Sequence, residues 1–189
     1  MIKAAYKDKQ RIVDILTDSF DDNLSVNYII RQDSKRRLRI RRLMEYSFEI
    51  CYLFGEVFLS DDGKGCALIV LPEKKKNNLR SILLDLKLIF TCLGLANVQK
   101  AMARESGIKK LHPEAPMYYL WFIGVAQEGQ RNGIGSRLLK HVIVEAKSKN
   151  RPVYLETSTL KNIPWYEKFG FSIYNEMELG YKMYLLRME

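Results

Sequence analysis

The residues best placed to do chemistry lie in one glycine-rich segment, Val125-Ala-Gln-Glu-Gly-Gln-Arg-Asn-Gly-Ile-Gly-Ser136, between a strand-like and a helical run. Glycine lets backbone amides come close to a ligand. A helix N-terminus adds unpaired N–H groups and a partial positive charge. Together they make an anion site suited to a phosphate or pyrophosphate. A plain strand-to-helix turn accounts for one of these glycines well and for two poorly. Spacing excludes two familiar phosphate loops. Leu138 stands where GxGxxG needs its third glycine, and Ile134 stands where a nucleotide P-loop needs its second.

Such a loop needs a strand before it and a helix after it. Residues 117–125 are apolar throughout, as in a central strand covered on both faces. A helix opening at Gly135 or Ser136 and running to about Lys149 places Leu138, Leu139, Val142, Ile143 and Ala146 on one face. Glu145 and Lys149 form an i,i+4 pair on its outside, and Asn150 and Pro152 stop it. Residues 153–157 read as a strand, 162–169 as a short helix, and 171–179 with 181–188 as a hairpin turned at Gly180. Upstream, 2–6 reads as a short strand, 8–20, 24–30 and 35–53 as helices, and 56–60 with 65–71 as an antiparallel pair. Residues 79–108 read as two helices broken near Gly94, followed by Pro113 and Pro116. The expected fold is α/β (α+β): a mixed, largely antiparallel sheet flanked by helices, with a helical insertion at about 77–112. A single domain over 1–189, with a cofactor-binding core at about 117–175, fits the length of 189 residues.

Composition narrows the function classes. Three cysteines, Cys51, Cys66 and Cys92, form no CxxC pair, which disfavours a zinc ribbon or a disulfide scaffold. They read as buried hydrophobes. With only His112 and His141, a histidine-rich metal site is disfavoured and no metal is expected. The N-terminus has no signal-peptide core, and the most apolar stretch, 79–98, is interrupted by Arg80, Asp85 and Lys87. A cytoplasmic location without membrane contact is expected. The formal charge of +9 suggests an anionic partner without naming one.

Gln130-Arg-Asn-Gly133-Ile-Gly135 resembles the [Gln/Arg]-x-x-Gly-x-[Gly/Ala] loop of the GNAT superfamily of acyl-CoA-dependent N-acyltransferases. The strand before it ends Ile123-Gly124-Val125, as the family's central strand does. Downstream, Leu155-Glu-Thr-Ser158 and Asn162-Ile-Pro-Trp-Tyr-Glu-Lys-Phe-Gly-Phe171 resemble the family's later motif, with wording nearest to puromycin N-acetyltransferase-like members. The good match covers roughly 113–174. Asn132 departs mildly, since a basic residue or Gln is frequent there.

The resemblance implies direct transfer of an acetyl group from acetyl-CoA to a primary amine, without a covalent enzyme intermediate. Amides of Gln130, Arg131, Asn132, Gly133, Ile134, Gly135 and Ser136 would hold the pyrophosphate. The edge at Ile123, Gly124 and Val125 would pair with the pantetheine arm, and an amide at Val125 or Ile123 would polarise the carbonyl. Asn162 matches the position that bonds the CoA arm, and helix N-capping explains it equally well. Tyr166 matches the family's general acid. Glu156, sharing a strand face with Tyr154, is the candidate base, with a structural carboxylate as the alternative. His112 and Glu114 are weaker candidates, His112 reading as a loop residue, and His141 has no expected catalytic role.

A competing feature is Lys35-Arg-Arg-Leu-Arg-Ile-Arg-Arg42, which could grip nucleic-acid phosphates or an acidic surface. Leu38, Ile40, Leu43 and Met44 interleave with the charges, as in an amphipathic helix with a solvated basic face. Three readings therefore stand: an N-acetyltransferase acting on a small-molecule or peptide amine, a nucleic-acid or acidic-surface module, and a CoA-binding protein without turnover. Nucleic acid is the less favoured partner, and a homodimer remains open.

Overall fold

A computed structural model describes residues 1–76 and 78–189. The boundary expected at residue 77 lies outside the described residues. A seven-stranded sheet has the order β1-β2-β3-β4-β5-β7-β6. Its strands are β1 (Ile2–Lys3), β2 (Gly55–Leu59), β3 (Gly65–Val70), β4 (Tyr118–Val125), β5 (Val153–Thr157), β6 (Ser172–Glu178) and β7 (Lys182–Met188). Only β4 and β5 run parallel; all other neighbours are antiparallel. The helices are α1 (Lys9–Ser19), α2 (Leu24–Ile29), α3 (Arg36–Phe54), α4 (Leu79–Leu88), α5 (Leu95–Leu111), α6 (Ile134–Ser148) and α7 (Ile163–Glu167). The expected first strand shrinks to two residues, because Ala5 already enters a 3-10 turn.

The sheet is sandwiched. On one face α1 and α3 cover β3 and β4, burying Ile12, Leu16, Met44 and Phe48. On the other α6 covers the same strands with Leu138, Leu139, Val142, Ile143 and Ala146, the face read from its periodicity. Full burial of each larger aliphatic chain contributes about 1.5–3 kcal/mol, so this stripe fixes the helix that follows the glycine loop.

β4 changes sides halfway along. Leu68 pairs with Phe122 and Ile69 with Leu120, leaving Trp121 as an extra residue opposite the step between them. Before the bulge Tyr118 and Leu120 face the α6 layer; after it Phe122 faces the α1–α3 layer. Trp121 and Phe122 consequently lie on the same face with ring centroids 5.3 Å apart.

The parallel pair is short. β4 and β5 meet only at Tyr118↔Val153 and Tyr119↔Tyr154. Beyond that point β5 continues against β7, while the edge of β4 at 120–125 has lost its β5 neighbour. The strands splay, and a cleft opens between their C-terminal ends.

The insertion is built from α4, a π-helical turn at Ile89–Leu93, and α5, which starts at Gly94 with φ 71°. Among the described residues no single helix is long and apolar enough to cross a membrane. Leu79–Leu93 and Leu95–Leu111 meet that test only as a pair bent by 119°.

Candidate functional site

The splay of β4 from β5 gives a cleft of about 530 Å³. Its walls include Ile123, Gly124, Val125, Gln130, Arg131, Gly133, Ile134, Gly135, Ser136, Glu156, Asn162 and Tyr166. Of the expected site residues only Asn132 is missing from the walls. Its carbonyl instead accepts a bond from Arg137 Nη1 at 3.0 Å, outside the cleft.

The loop between β4 and α6 is a 3-10 turn at Gln127–Gly129, then two left-handed residues, Arg131 (φ 64°) and Gly133 (φ 71°). Gly133 rather than Gly135 or Ser136 marks the helix start, as N-cap of α6. The first intrahelical bond there runs from Arg137 N to Gly133 O. The amides of Gly135 and Ser136, in the first turn, thus have no acceptor within the helix, and they border the cleft. Gln130 corrects the expectation: its amide donates to Gln127 O at 3.3 Å and closes the 3-10 turn. The donors available to an anion therefore begin after Gln130. Gly129 is a packing glycine, since a Cβ there would lie 2.9 Å from Ile134 Cδ1.

Gly124 owes its identity to α1. A Cβ would stand 2.9 Å from Leu16 Cδ2 and 3.0 Å from Ser19 Oγ, and Ser19 Oγ donates to Val125 O at 3.2 Å. α1 therefore clamps the tip of β4 from behind and leaves its free edge to the cleft. α7 closes the other side. Trp165 Nε1 donates to Ser136 Oγ at 3.1 Å, which ties α7 to the first turn of α6.

Tyr166 sits beside Trp165 and Phe171 in T-shaped or tilted ring contacts. It is 5% exposed, and burial pushes its phenol above the usual range. It lines the cleft as a proton-bearing phenol, with no hydrogen-bond partner among the described residues. Asn162 takes the N-cap position of α7, yet its side chain makes no capping bond. Of the two explanations for Asn162, capping is therefore the one the geometry removes.

Glu156 shares its face of β5 with Tyr154, as the alternation requires. Its side chain is 6% exposed. His112 Nε2 lies 2.8 Å from Oε1, and Tyr119 donates to Oε2 at 2.5 Å. Tyr119 is itself raised well above the ordinary phenol value, by burial first and then by the Glu156 charge. His112 opens the loop after α5, as expected, and what was not expected is that its ring joins a buried Glu156–His112–Tyr119 cluster whose Glu156 lines the cleft. Glu114 is exposed, and among the described residues no hydrogen bond or ion pair ties it to this cluster. His141 packs edge-on to Phe58 at 4.8 Å, away from the cleft.

The far wall was not foreseen. Ser25 of α2, Arg104 and Glu105 of α5, Trp121 of β4 and Met183 of β7 all reach the cleft. Arg104 is 9% exposed. Its Nε and Nη2 donate to Ser25 Oγ at 3.1 and 2.8 Å, and Nη1 donates to Glu105 Oε1 at 2.5 Å. Burial opposes its charge, but Glu105 and the phenols of Tyr119 and Tyr181 outweigh it and lift the guanidinium pKa. Among sequence features only an arginine within a helix signals this residue, and such arginines are mostly solvated.

The basic run of α3 is largely paired. Arg36 bonds Asp21, Arg37 bonds Asp18, Arg39 bonds Asp33 and Arg41 bonds Asp14, at 2.5–2.7 Å. These contacts stitch α3 to α1 and the loops beside it, and no basic residue of the run lines the cleft.

Comparison with known proteins bears on the same segment. Residues 91–171 match the acetyltransferase (GNAT) family. An uncharacterised N-acetyltransferase of Schizosaccharomyces pombe is 37% identical over 54 residues, covering 29% of this chain and 22% of that protein. The matched segments span less than half the length of the curated relatives. Among solved structures, the histone acetyltransferase HPA2 and related acetyltransferase from Corynebacterium glutamicum superposes with TM-score 0.73 at 22% identity. It covers 98% of this chain and 93% of that one. Naa50 of Arabidopsis thaliana, in complex with the bisubstrate analogue CoA-Ac-MVNAL, superposes with TM-score 0.52 at 18% identity, over 100% of this chain and 96% of that one. The strand, glycine loop and later motif thus fall in the segment that matches the acetyltransferase (GNAT) family, and the mixed seven-stranded sheet around them has the fold of its structural neighbours.

Proposed function

We propose that the chain is an acyltransferase of the GNAT type that moves an acetyl group from acetyl-CoA directly to a primary amine. The observation that carries this is the placement of the open edge of β4 between the left-handed loop at Arg131–Gly133 and the buried Tyr166. The cradle fits a pyrophosphate: donors after Gln130 sit at a helix N-terminus, where negative charge is favoured. The Leu155–Ser158 and Asn162–Phe171 wording supports a place near puromycin N-acetyltransferase-like members.

In this reading the amides at Gly133, Gly135 and Ser136 hold the pyrophosphate. The edge at Ile123 and Val125 receives the pantetheine arm as an added strand would, and one of those amides donates to the thioester oxygen. Asn162, with no capping duty, bonds the same arm. Glu156, supported by His112, takes a proton from the ammonium, directly or through water. The freed amine attacks the thioester carbon, the C–N bond forms and the C–S bond breaks. Tyr166 gives its proton to the departing thiolate and is reprotonated by the one the acylated nitrogen sheds on becoming a neutral amide, leaving an N-acetyl product, free thiol and the single proton held by Glu156.

The pairing of Arg36, Arg37, Arg39 and Arg41 with acids supports reading the run as a structural face rather than as a grip on nucleic acid. Calorimetry with acetyl-CoA, followed by thiol release across classes of amine, tests the proposal. Binding with turnover supports it. Binding without turnover on any amine supports a non-catalytic CoA protein, and absence of binding overturns both.

A further inference from the structure

The wall of the cleft opposite the glycine loop holds a buried charge that acetyl-CoA chemistry does not use. Arg104 is a cation at 9% exposure, and a buried charge needs compensation. Its one carboxylate partner, Glu105, has a side chain 61% exposed and is therefore well solvated. Its other oxygen partner is the neutral hydroxyl of Ser25, which also receives a bond from Tyr181 at 3.0 Å. A guanidinium carries five N–H donors. Here three bonds reach oxygen, and the remaining contact is to Met183 Sδ at 3.7 Å. One Nη1 N–H is left over and one on Nη2 meets only sulfur, on the residue type best suited to grip a carboxylate with two parallel bonds.

Position adds to this. Ser25, Arg104 and Met183 line the same cleft as Glu156 and Tyr166. Tyr119 donates to Glu156 and also feels the Arg104 charge, so the guanidinium and the candidate base both act on one phenol. The same cleft is lined by the apolar Phe20, Val26, Ile29 and Trp121.

We infer that Arg104 is the carboxylate anchor of the amine-acceptor subsite, and that the acceptor is a small amino acid with an apolar body. Its carboxylate lies against Arg104 and Ser25, its side chain against Trp121 and Phe20, and its amine points to Glu156. The inference rests on the acetyltransfer proposed above and specifies its substrate class.

The test is thiol release with acetyl-CoA on L-leucine and L-phenylalanine, against L-leucinamide and L-phenylalaninamide. The amide's amine is the more readily deprotonated, so reactivity alone favours the amides. The expected result is kcat/KM at least about tenfold higher for the free acids, the scale of a charge-assisted pair. Arg104→Gln should bring the acids down to the level of the amides, and Arg104→Lys should restore part of the preference. Acetyl-CoA affinity, measured on each variant, reports whether the fold survives. Equal or better turnover of the amides by the unaltered protein overturns the inference, without recourse to any variant. So does turnover of neither series while acetyl-CoA still binds. A selectivity that survives Arg104→Gln does the same. Absence of acetyl-CoA binding strikes the acetyltransfer reading first and this inference with it.

Discussion

Replacing Gly133 with valine probes the loop where its backbone is least ordinary. Gly133 has φ 71° and ψ 7°, a left-handed conformation. An L-residue there costs roughly 1–2 kcal/mol, and a β-branched one is a genuine outlier. Space is not the obstacle, because the nearest atom to a Cβ would be Arg137 Nη1 at 3.5 Å. The penalty is conformational and has two outlets. If the loop keeps its shape, the folded state carries the strain. At about 2–4 °C per kcal/mol for a chain this size, Tm falls by roughly 2–8 °C. If the loop relaxes, the amides at Gly135 and Ser136 lose their aim, and acetyl-CoA binding weakens about five- to thirtyfold for the same energy. Scanning calorimetry and titration calorimetry on one preparation read both outlets. Gly133→Asn is the control, since asparagine tolerates this region, and it should lie near the parent on both scales. A valine variant with unchanged Tm and unchanged affinity would refute the argument.

Further expectations concern single groups. Tyr166→Phe should lower kcat about 10²-fold or more, the usual worth of a general acid, with acetyl-CoA affinity nearly intact; undiminished turnover removes the acid role. Glu156→Gln should lower kcat on a similar scale and alter the pH–rate profile, whereas a purely structural carboxylate would show its loss in Tm alone. Asn162→Ala should leave Tm within about 0.5 kcal/mol equivalent, since no capping bond is lost, while weakening acetyl-CoA binding; a large drop in Tm contradicts this. Burial raises the phenols of Tyr119 and Tyr166, so the folded state holds those protons while the unfolded chain releases them near pH 10. Tm should therefore be level from neutral pH to about 9 and fall above about 10, with a shallower fall in Tyr166→Phe.

What could be read from the residues follows the range of the forces involved. The apolar face of α6, the Glu145–Lys149 pair at 2.5 Å, the strand at Val153–Thr157 and the turn at Gly180 are local, set by period and turn chemistry. The glycine loop was legible for the same reason, and so was the shared face of Tyr154 and Glu156. The partners of Glu156 were not: His112 is 44 residues away and Tyr119 is 37 away, and only the packed sheet brings them together. Arg104 reaches Ser25 across 79 residues, between helices whose docking no periodicity predicts. Gln130 matched the loop pattern by type, but its amide is already committed to Gln127. The arginines of α3 read as a possible grip on phosphates because their acids lie on another helix and in the loops beside it. The bulge at Trp121 carries no glycine or proline to announce it.

That bulge makes strand parity a property of half of β4 rather than of all of it. In an unbroken strand, odd and even positions keep to their own sides from end to end. Here the count is reset at Trp121, so the base of the strand and its tip obey opposite rules. Removing Trp121 would restore regular alternation and leave both halves on their present sides, Phe122 on the α1 layer and Ile123 and Val125 away from it. Adding or removing two with the bulge kept would preserve the sides while sliding the tip along β3. A single deletion should therefore be tolerated at Trp121, where it removes the supernumerary residue, and punished elsewhere in the strand, where it would carry the tip's side chains to the opposite faces.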